Sequence, residues 1–313
     1  MQKSGTELLT VDAPGIARAA TLLREGRLVA VPTETVYGLA ARADSDAAVA
    51  GIYRAKGRPD FNPLIVHVAQ LEIAEKLAVF DSRAHDLAAR FWPGPLTLVL
   101  PLRGGVSIAP AVTAGLPTIA LRMPAHPAMR ALLIETGLPL AAPSANRSGG
   151  ISPTEAGHVV ASLGGRIDAV LDGGPCEQGL ESTIVALRND GTWQLLRPGP
   201  FEESRISDIL GPSHDVTLAK IEAPGQLAQH YAPGKPVRLD AMQAAPDEFM
   251  IGFGDIAGDC TLSASGDLAE AAARLYACLH LGASASQPRI AIAPIPMDGI
   301  GTAIRDRLAR AAA

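Results

Sequence analysis

PLAAPSANRSGGISPTEAGHVVASLGGRIDAVLD, residues 139–172, sets the fold class. The apolar run PLAAP predicts a buried strand and passes into the polar loop PSANRSGG (143–150). Ser152, Pro153 at the first helical position and Glu155 then carry the signature of a capping box, which predicts a helix over 153–163. DAVLD (168–172) predicts a second strand. Strand, helix and strand in immediate succession indicate an α/β sheet with helices packed on it.

The same alternation extends outward in both directions. LVAVP (28–32), LIVHV (64–68), LTLVL (96–100), TIALR (118–122) and STIVAL (182–187) predict further strands. Asp12 caps an expected helix to about Glu25, with Pro14 early in it and Gly26 as its stop. Other helices are expected at 45–55, 82–91 and 127–136. After LLRPGPF (195–201) and one short helix the pattern breaks. Pro212, Pro224, Pro233 and Pro236 fall in a stretch of linker composition. Strands PVRLD (236–240), FMIGF (249–253) and RIAIA (289–293), with helices at 268–281 and 300–312, then predict a small second α/β unit of Rossmann-like type. The expected division is 1–206, a linker over 207–235, and 236–313.

Composition narrows the function classes. The 313 residues are 48% apolar and 19% charged, which describes a core-rich globular chain. A net charge of −5, and −3 over the tail (6 basic, 9 acidic), argues against a general nucleic-acid coat. Cys176, Cys260 and Cys278 are sparse and form no metal spacing, so they read as reduced thiols. No signal-peptide stretch and no run of about 18 apolar residues is present, so the expectation is a soluble, cytoplasmic protein that does not enter membranes.

Polar side chains gather where apolar runs end. Lys56 and Arg58 flank a glycine in KGRP, and Ser144 and Asn146 sit in PSAN. Thr33, Glu34 and Thr35 follow LVAVP, and Arg122 ends TIALR. Paired cations with a hydroxyl and an amide suit a polyphosphate. Open α/β sheets bind ligands beyond the carboxyl ends of their strands. Each feature also has a plainer reading. His67 alone reads as a core histidine, Arg122 as a salt-bridged surface residue, Thr35 as a turn residue and KGRP as an exposed turn after a helix. No GxxxxGK[ST] loop, GxSxG elbow or HExxH helix is present. Gly252, Gly254 and Gly258 nearly match a dinucleotide fingerprint, but DCTLS after them reads as a turn into a strand where the fingerprint needs a helix.

Taken together, the strings resemble the YrdC/Sua family of threonylcarbamoyl-AMP synthases. They are PTETVYGLAA (32–41), YRAKGRPDFNPLIVHV (53–68), FWPGPLTLVL (91–100), LRMPAHP (121–127), APSANRSG (142–149), ESTIV (181–185) and LLRPGPF. HYAP (230–233) with the α/β tail resembles the longer two-domain Sua type. The resemblance implies a twisted mixed open sheet with a deep concave cleft. It also implies a reaction in which L-threonine, bicarbonate or CO2, and ATP with Mg2+ give threonylcarbamoyl-AMP and pyrophosphate. The product would pass to a tRNA threonylcarbamoyl-transferase complex. By position, Lys56 and Arg58 would be catalytic, with no metal ligand from the protein. Arg58, Asn62, Thr118, Ser144, Asn146, Ser152, Arg197 and Tyr231 would hold ATP. Thr35, His67, Arg122, Ala142 and Ser182 would hold threonine. One departure stands out. The family linker reads close to SPGMKYRHYAP, whereas Gln226, Leu227, Ala228 and Gln229 stand here for Met, Lys, Tyr and Arg, so a phosphate or direct tRNA contact from those positions is not implied. Two rival readings remain at this stage. One is a non-catalytic RNA-binding or ribosome-maturation module. The other is a carbamoyl-adenylate enzyme for another acceptor, such as a hydrogenase-maturation factor.

Overall fold

The computed structural model describes residues 5–59, 61–214, 222–224 and 230–313. The first unit runs β1 (Glu7–Thr10), α1 (Ala13–Arg24), β2 (Val29–Val31), β3 (Gly38–Arg42), α2 (Asp46–Lys56), β4 (Ile65–His67), α3 (Leu71–Leu77) and α4 (Ser82–Phe91). It continues through β5 (Leu96–Pro101), α5 (Pro110–Thr113), β6 (Thr118–Arg122), α6 (Pro127–Thr136), β7 (Leu140–Ala141), α7 (Ala156–Leu163), β8 (Ala169–Asp172), β9 (Thr183–Leu187), β10 (Trp193–Arg197) and α8 (Glu203–Leu210). The second unit comprises β11 (Val237–Arg238), β12 (Glu248–Gly252), β13 (Cys260–Thr261), α9 (Leu268–Ser284), β14 (Arg289–Ile292) and α10 (Gly301–Ala312).

Ten strands form one mixed sheet in the order β1-β8-β2-β3-β7-β4-β6-β5-β9-β10, and four form a second, all-parallel sheet in the order β11-β14-β12-β13. The mixed α/β class is the one the sequence indicates. Helix signals are legible because they are local. Asp12, Ser45 and Asp81 accept backbone N–H bonds at the starts of α1, α2 and α4, as N-caps do. Strands β1, β3 and β10 are not visible in the sequence pattern. β3 is GLAAR, whose glycine and alanines carry little strand preference; it becomes a strand because β2 and β7 pair with it on either side. The capping box expected at Ser152 is not used. α7 begins at Ala156, and residues 152–154 instead accept bonds from other segments, Tyr37 N–H to Pro153 and Cys176 N–H to Thr154. In the second unit the loop after β12 does turn directly into strand β13, as its sequence indicates.

The cleft arises from unequal coverage of the large sheet. On one face, Ala30, Leu39, Val66, Leu98, Leu121 and Val185 join a continuous core with α2, α4, α7 and α8. On the other, α1 and α6 cover only the β8-β2-β3-β7 side, through contacts such as Leu23, Met129 and Leu132 against Val31, Ala40 and Leu171. Beyond β7 no such helix follows among the described residues. Ile65, Val99, Ala120, Ile184 and Ala186 pack there with Ala223 of the linker, the cluster's linker member among the described residues, and with Leu196. On that half of the face the cover among the described residues comes from linker residues such as Pro224, His230 and Tyr231, which line a cavity with it. Among the described residues, no helix is long and apolar enough to cross a membrane.

β5 carries this sheet between β6 and β9, and Leu98 on it is fully buried. Leu98→Ala is expected to cost about 2–5 kcal/mol of unfolding free energy. Chemical denaturation measures this, and a loss under about 1 kcal/mol would contradict the packing described.

Candidate active site

Ile65 and His67 stand two apart on β4 and so face the same side. Arg122 lies beside His67 in register on β6. With Thr35, Arg58, Ala142, Ser144, Ser182, Arg197 and Tyr231 they line one cavity on this sheet face. The cavity lies against a face rather than beyond a row of carboxyl ends, because neighbouring strands in this mixed sheet run in both directions.

The KGRP and PSAN loops meet. Lys56 is not an exposed turn residue: it is 3% exposed, and Arg58 is 9%. Gly57 ends α2 in the left-handed conformation, φ 61°. The Lys56 Nζ donates to the carbonyls of Ser144 (2.6 Å) and Asn146 (2.5 Å), and Ser148 N–H returns a bond to the Lys56 carbonyl. Burial, and then the Arg58 guanidinium, pull the Lys56 pKa well down. Its ammonium is engaged inside the wall and does not line the cavity. Arg58 does line it, braced by bonds from Nε to the Asn62 carbonyl and from Nη2 to the Pro63 carbonyl. Burial lowers its pKa to about 10, which leaves it cationic at neutral pH.

Arg122 is held differently. Its Nη2 donates to Glu34 Oε1 at 2.6 Å, Nη1 to Thr35 Oγ1 and Nε to the Gly94 carbonyl. The second Glu34 oxygen accepts from the backbone N–H groups of Ala125 and His126. The Arg122 charge holds the Glu34 pKa down against the opposing effect of burial. His67, 3% exposed, is kept neutral: burial, then Arg122, lowers its pKa to about 3. Its Nδ1 has no hydrogen-bond partner among the described residues.

On the far wall, Ser182 shares its hydroxyl with Thr97 (2.7 Å) and accepts from Arg197 Nη2 (3.1 Å). Arg197 Nε donates to the Ser182 carbonyl. Gly199 lets the RPGP turn press against this strand, since a Cβ there would lie 2.4 Å from Thr183 N. Tyr231, at φ 65°, is 1% exposed and closes one side. Asn62, Asn146 and Ser152 are buried beside the cavity but do not line it; Oδ1 of each asparagine is unpartnered among the described residues. Thr118 begins β6, at the opposite end of that strand from Arg122, and is not part of the wall. Residues 226–229, where the linker departs from the family pattern, lie outside the described residues.

The sequence reading gave no role to several residues that build this site. Glu34, between the two threonines of PTETV, follows a buried strand, and Glu181 opens ESTIV just before one; a carboxylate at the end of an apolar run is the signal available for both. Glu181 accepts from Ser152 Oγ at 2.6 Å, Tyr276 OH at 2.8 Å and Arg307 Nε at 2.9 Å. Tyr276 and Arg307 come from α9 and α10 of the second unit and carried no local signal. Arg307 also donates to the Pro198 carbonyl and sits 5.6 Å over the Tyr231 ring. Gly179, φ 65°, fits against the α9 backbone where a Cβ would meet Ala272 O at 2.4 Å. Burial raises the Glu181 pKa, but Arg307 and Arg197 outweigh it and hold it near 2, below the ordinary 4.5. Its ionised form therefore stabilises the fold above about pH 4.5, and that contribution is lost as pH falls towards 2. Arg307→Ala, which leaves this carboxylate buried and unpaired, is expected to cost about 3–5 kcal/mol at neutral pH. The cost should shrink towards pH 3, because the unpaired carboxyl then protonates. Denaturation midpoints at both values measure this, and a penalty independent of pH would contradict the ion-pair account.

Residues 21–199 match the Sua5/YciO/YrdC family, described as "Telomere recombination", and residues 202–313 match the family described as "Threonylcarbamoyl-AMP synthase, C-terminal domain". A Bacillus subtilis threonylcarbamoyl-AMP synthase is 42% identical, over 98% of this chain and 95% of its own. The crystal structure of Pyrococcus abyssi Sua5 complexed with L-threonine aligns with a TM-score of 0.88 at 36% identity, covering 98% of both chains. Nucleotide-bound HypF aligns with a TM-score of 0.52 at 22% identity, over 58% of this chain and 28% of its own, a likeness of fold alone. The chain belongs to the Sua5/YrdC family, in its two-domain form.

Proposed function

We infer that the protein is a threonylcarbamoyl-AMP synthase. It joins L-threonine, bicarbonate or CO2, and ATP into threonylcarbamoyl-AMP and pyrophosphate, the first step of tRNA threonylcarbamoyladenosine modification. The observation that carries this reading is the sorting of cations in one cavity. Arg122 is paired with Glu34, whereas Arg58 and Arg197 have no ion-paired carboxylate among the described residues.

The unpaired cations suit phosphate. The threonine amine adds CO2 to become a carbamate, whose oxygen forms a bond to the α-phosphorus as the bond to the β-phosphate oxygen breaks. Pyrophosphate leaves with the electron pair, so the protein acts as a nucleotidyltransferase. Such a step needs positioning and charge neutralisation rather than a protein nucleophile. Arg58 and Arg197 meet the triphosphate, and Lys56 acts by fixing the Ser144 and Asn146 loop against it. Asn62, Asn146 and Ser152, buried beside the cavity without lining it, are assigned to ATP by the resemblance. Thr118 is assigned to ATP by the resemblance alone. Mg2+ carried on the ATP phosphates would add neutralising charge. Tyr231 closes over the nucleotide.

Threonine takes the other half. Arg122 has five N–H groups, and its bonds to Gly94, Thr35 and Glu34 leave two for the amino-acid carboxylate. Neutral His67, the Thr35 and Ser182 hydroxyls and the Ala142 backbone supply uncharged partners. A site that pairs the threonine hydroxyl disfavours valine. The catalytic unit is assigned to 1–206, the linker to 207–235 and the second unit to 236–313. The product goes to a cytoplasmic tRNA threonylcarbamoyl-transferase complex.

Pyrophosphate release is expected only when threonine, bicarbonate and ATP are all present, and threonine-independent release would contradict the assignment. Arg58→Ala should lower kcat/KM by about 100-fold or more while the circular dichroism spectrum is unchanged. Full activity in that folded variant would remove Arg58 from the phosphate site.

A further inference from the structure

The second sheet has its own crevice. β11 and β14 are adjacent and parallel, and the chain leaves their carboxyl ends at Leu239 and Ala293. Open parallel sheets take ligands at such ends. A cavity of about 440 Å3 lies there, lined by α10 and by Pro198 of the first unit. This is within the size range of sites for small molecules. None of its lining residues lines the catalytic cavity.

Its walls are apolar, with Leu239, Ile295, Met297 and Leu308 prominent, and Met297 is 64% exposed at the mouth. The polar groups are few and of both signs. Arg305 donates from Nη1 to Asp240 Oδ1 at 2.8 Å and from Nη2 to Oδ2 at 3.2 Å. The two side chains are 32% and 52% exposed, so this pair is open to solvent and worth little to the fold. Asp240 holds a left-handed backbone, φ 55°, unusual for a residue other than glycine. Asp306 adds a second carboxylate, bonded to Arg307 and Arg310.

A guanidinium beside a carboxylate, set at the rim of an apolar pocket, complements an α-amino acid with an apolar side chain. The ligand carboxylate pairs with Arg305, its ammonium with Asp240, and its side chain covers Leu239, Ile295 and Leu308. We propose that this crevice binds a free apolar α-amino acid. The site adjoins the catalytic cavity by one residue. Asp306 and Pro198, both in its wall, are bonding partners of Arg307, whose other contacts are Glu181 and the Tyr231 ring. A ligand seated there contacts the groups that hold Arg307, so pyrophosphate release, which rests on the activity inferred above, is a second readout.

Calorimetric titration of the full chain with leucine, methionine and phenylalanine tests the proposal. At least one should give a saturable isotherm with Kd of about 1 mM or tighter. Arg305→Leu and Asp240→Asn should each weaken it by about tenfold or more, with the unfolding midpoint unchanged because the exposed pair adds little. Threonine and ATP, directed to the other cavity, should not displace it. Absence of saturation up to about 10 mM for all three probes, equal affinity in both variants, or displacement by threonine would each overturn the proposal. Failure of the synthase reading would show separately, as wild-type protein that releases no threonine-dependent pyrophosphate while the titration is still readable.

Discussion

The site depends on one buried carboxylate. Glu181 cannot stay ionised out of water without partners, and it finds them in both halves of the chain. Ser152 fixes the loop that follows PSAN, and Tyr276 and Arg307 bring α9 and α10 up to the cleft. The next residue, Ser182, then joins Thr97 to Arg197. The charge balance of Glu181 thereby sets three walls of the cavity at once. The second unit accordingly contributes bonded side chains to the site, and Arg307 braces Tyr231 through its ring.

The remaining cations divide by their partners. Lys56 is enclosed by backbone carbonyls and acts as a staple between two loops. Arg122 is anchored by Glu34 and presents only its leftover N–H groups. Arg58 and Arg197 are oriented by backbone carbonyls and the Ser182 hydroxyl and form no ion pair among the described residues, although Arg197 lies near enough to Glu181 to help hold it ionised. Four similar residues thus hold three distinct electrostatic positions, and the two without an ion pair among the described residues line the same cavity. The uneven cover of the sheet makes this possible: among the described residues α1 and α6 pack only on the β8-β2-β3-β7 side.

Much of this was legible in the sequence. Helices α4 and α6 begin and end where their caps and periodicity place them, because those signals are local. The collinear strings around KGRP and PSAN pointed to one cleft. What escaped is non-local. β3 is strand by virtue of its neighbours. Ser152 looked like a helix cap and is instead a donor to Glu181. KGRP reads most simply as an exposed turn; its turn is real, but Lys56 is buried by contacts with residues about 90 positions away, while Arg58 is held by the carbonyls of Asn62 and Pro63. Arg307 had no signal at all, since its partner lies 126 residues off.

The account turns on the division of the cleft into a phosphate half and an amino-acid half. The most direct measurement is a crystal structure of the protein with a non-hydrolysable ATP analogue, Mg2+ and L-threonine. The division predicts the triphosphate against Arg58 and Arg197 and the threonine carboxylate against Arg122. A carboxylate seated on Arg58, or a triphosphate on Arg122, would contradict it.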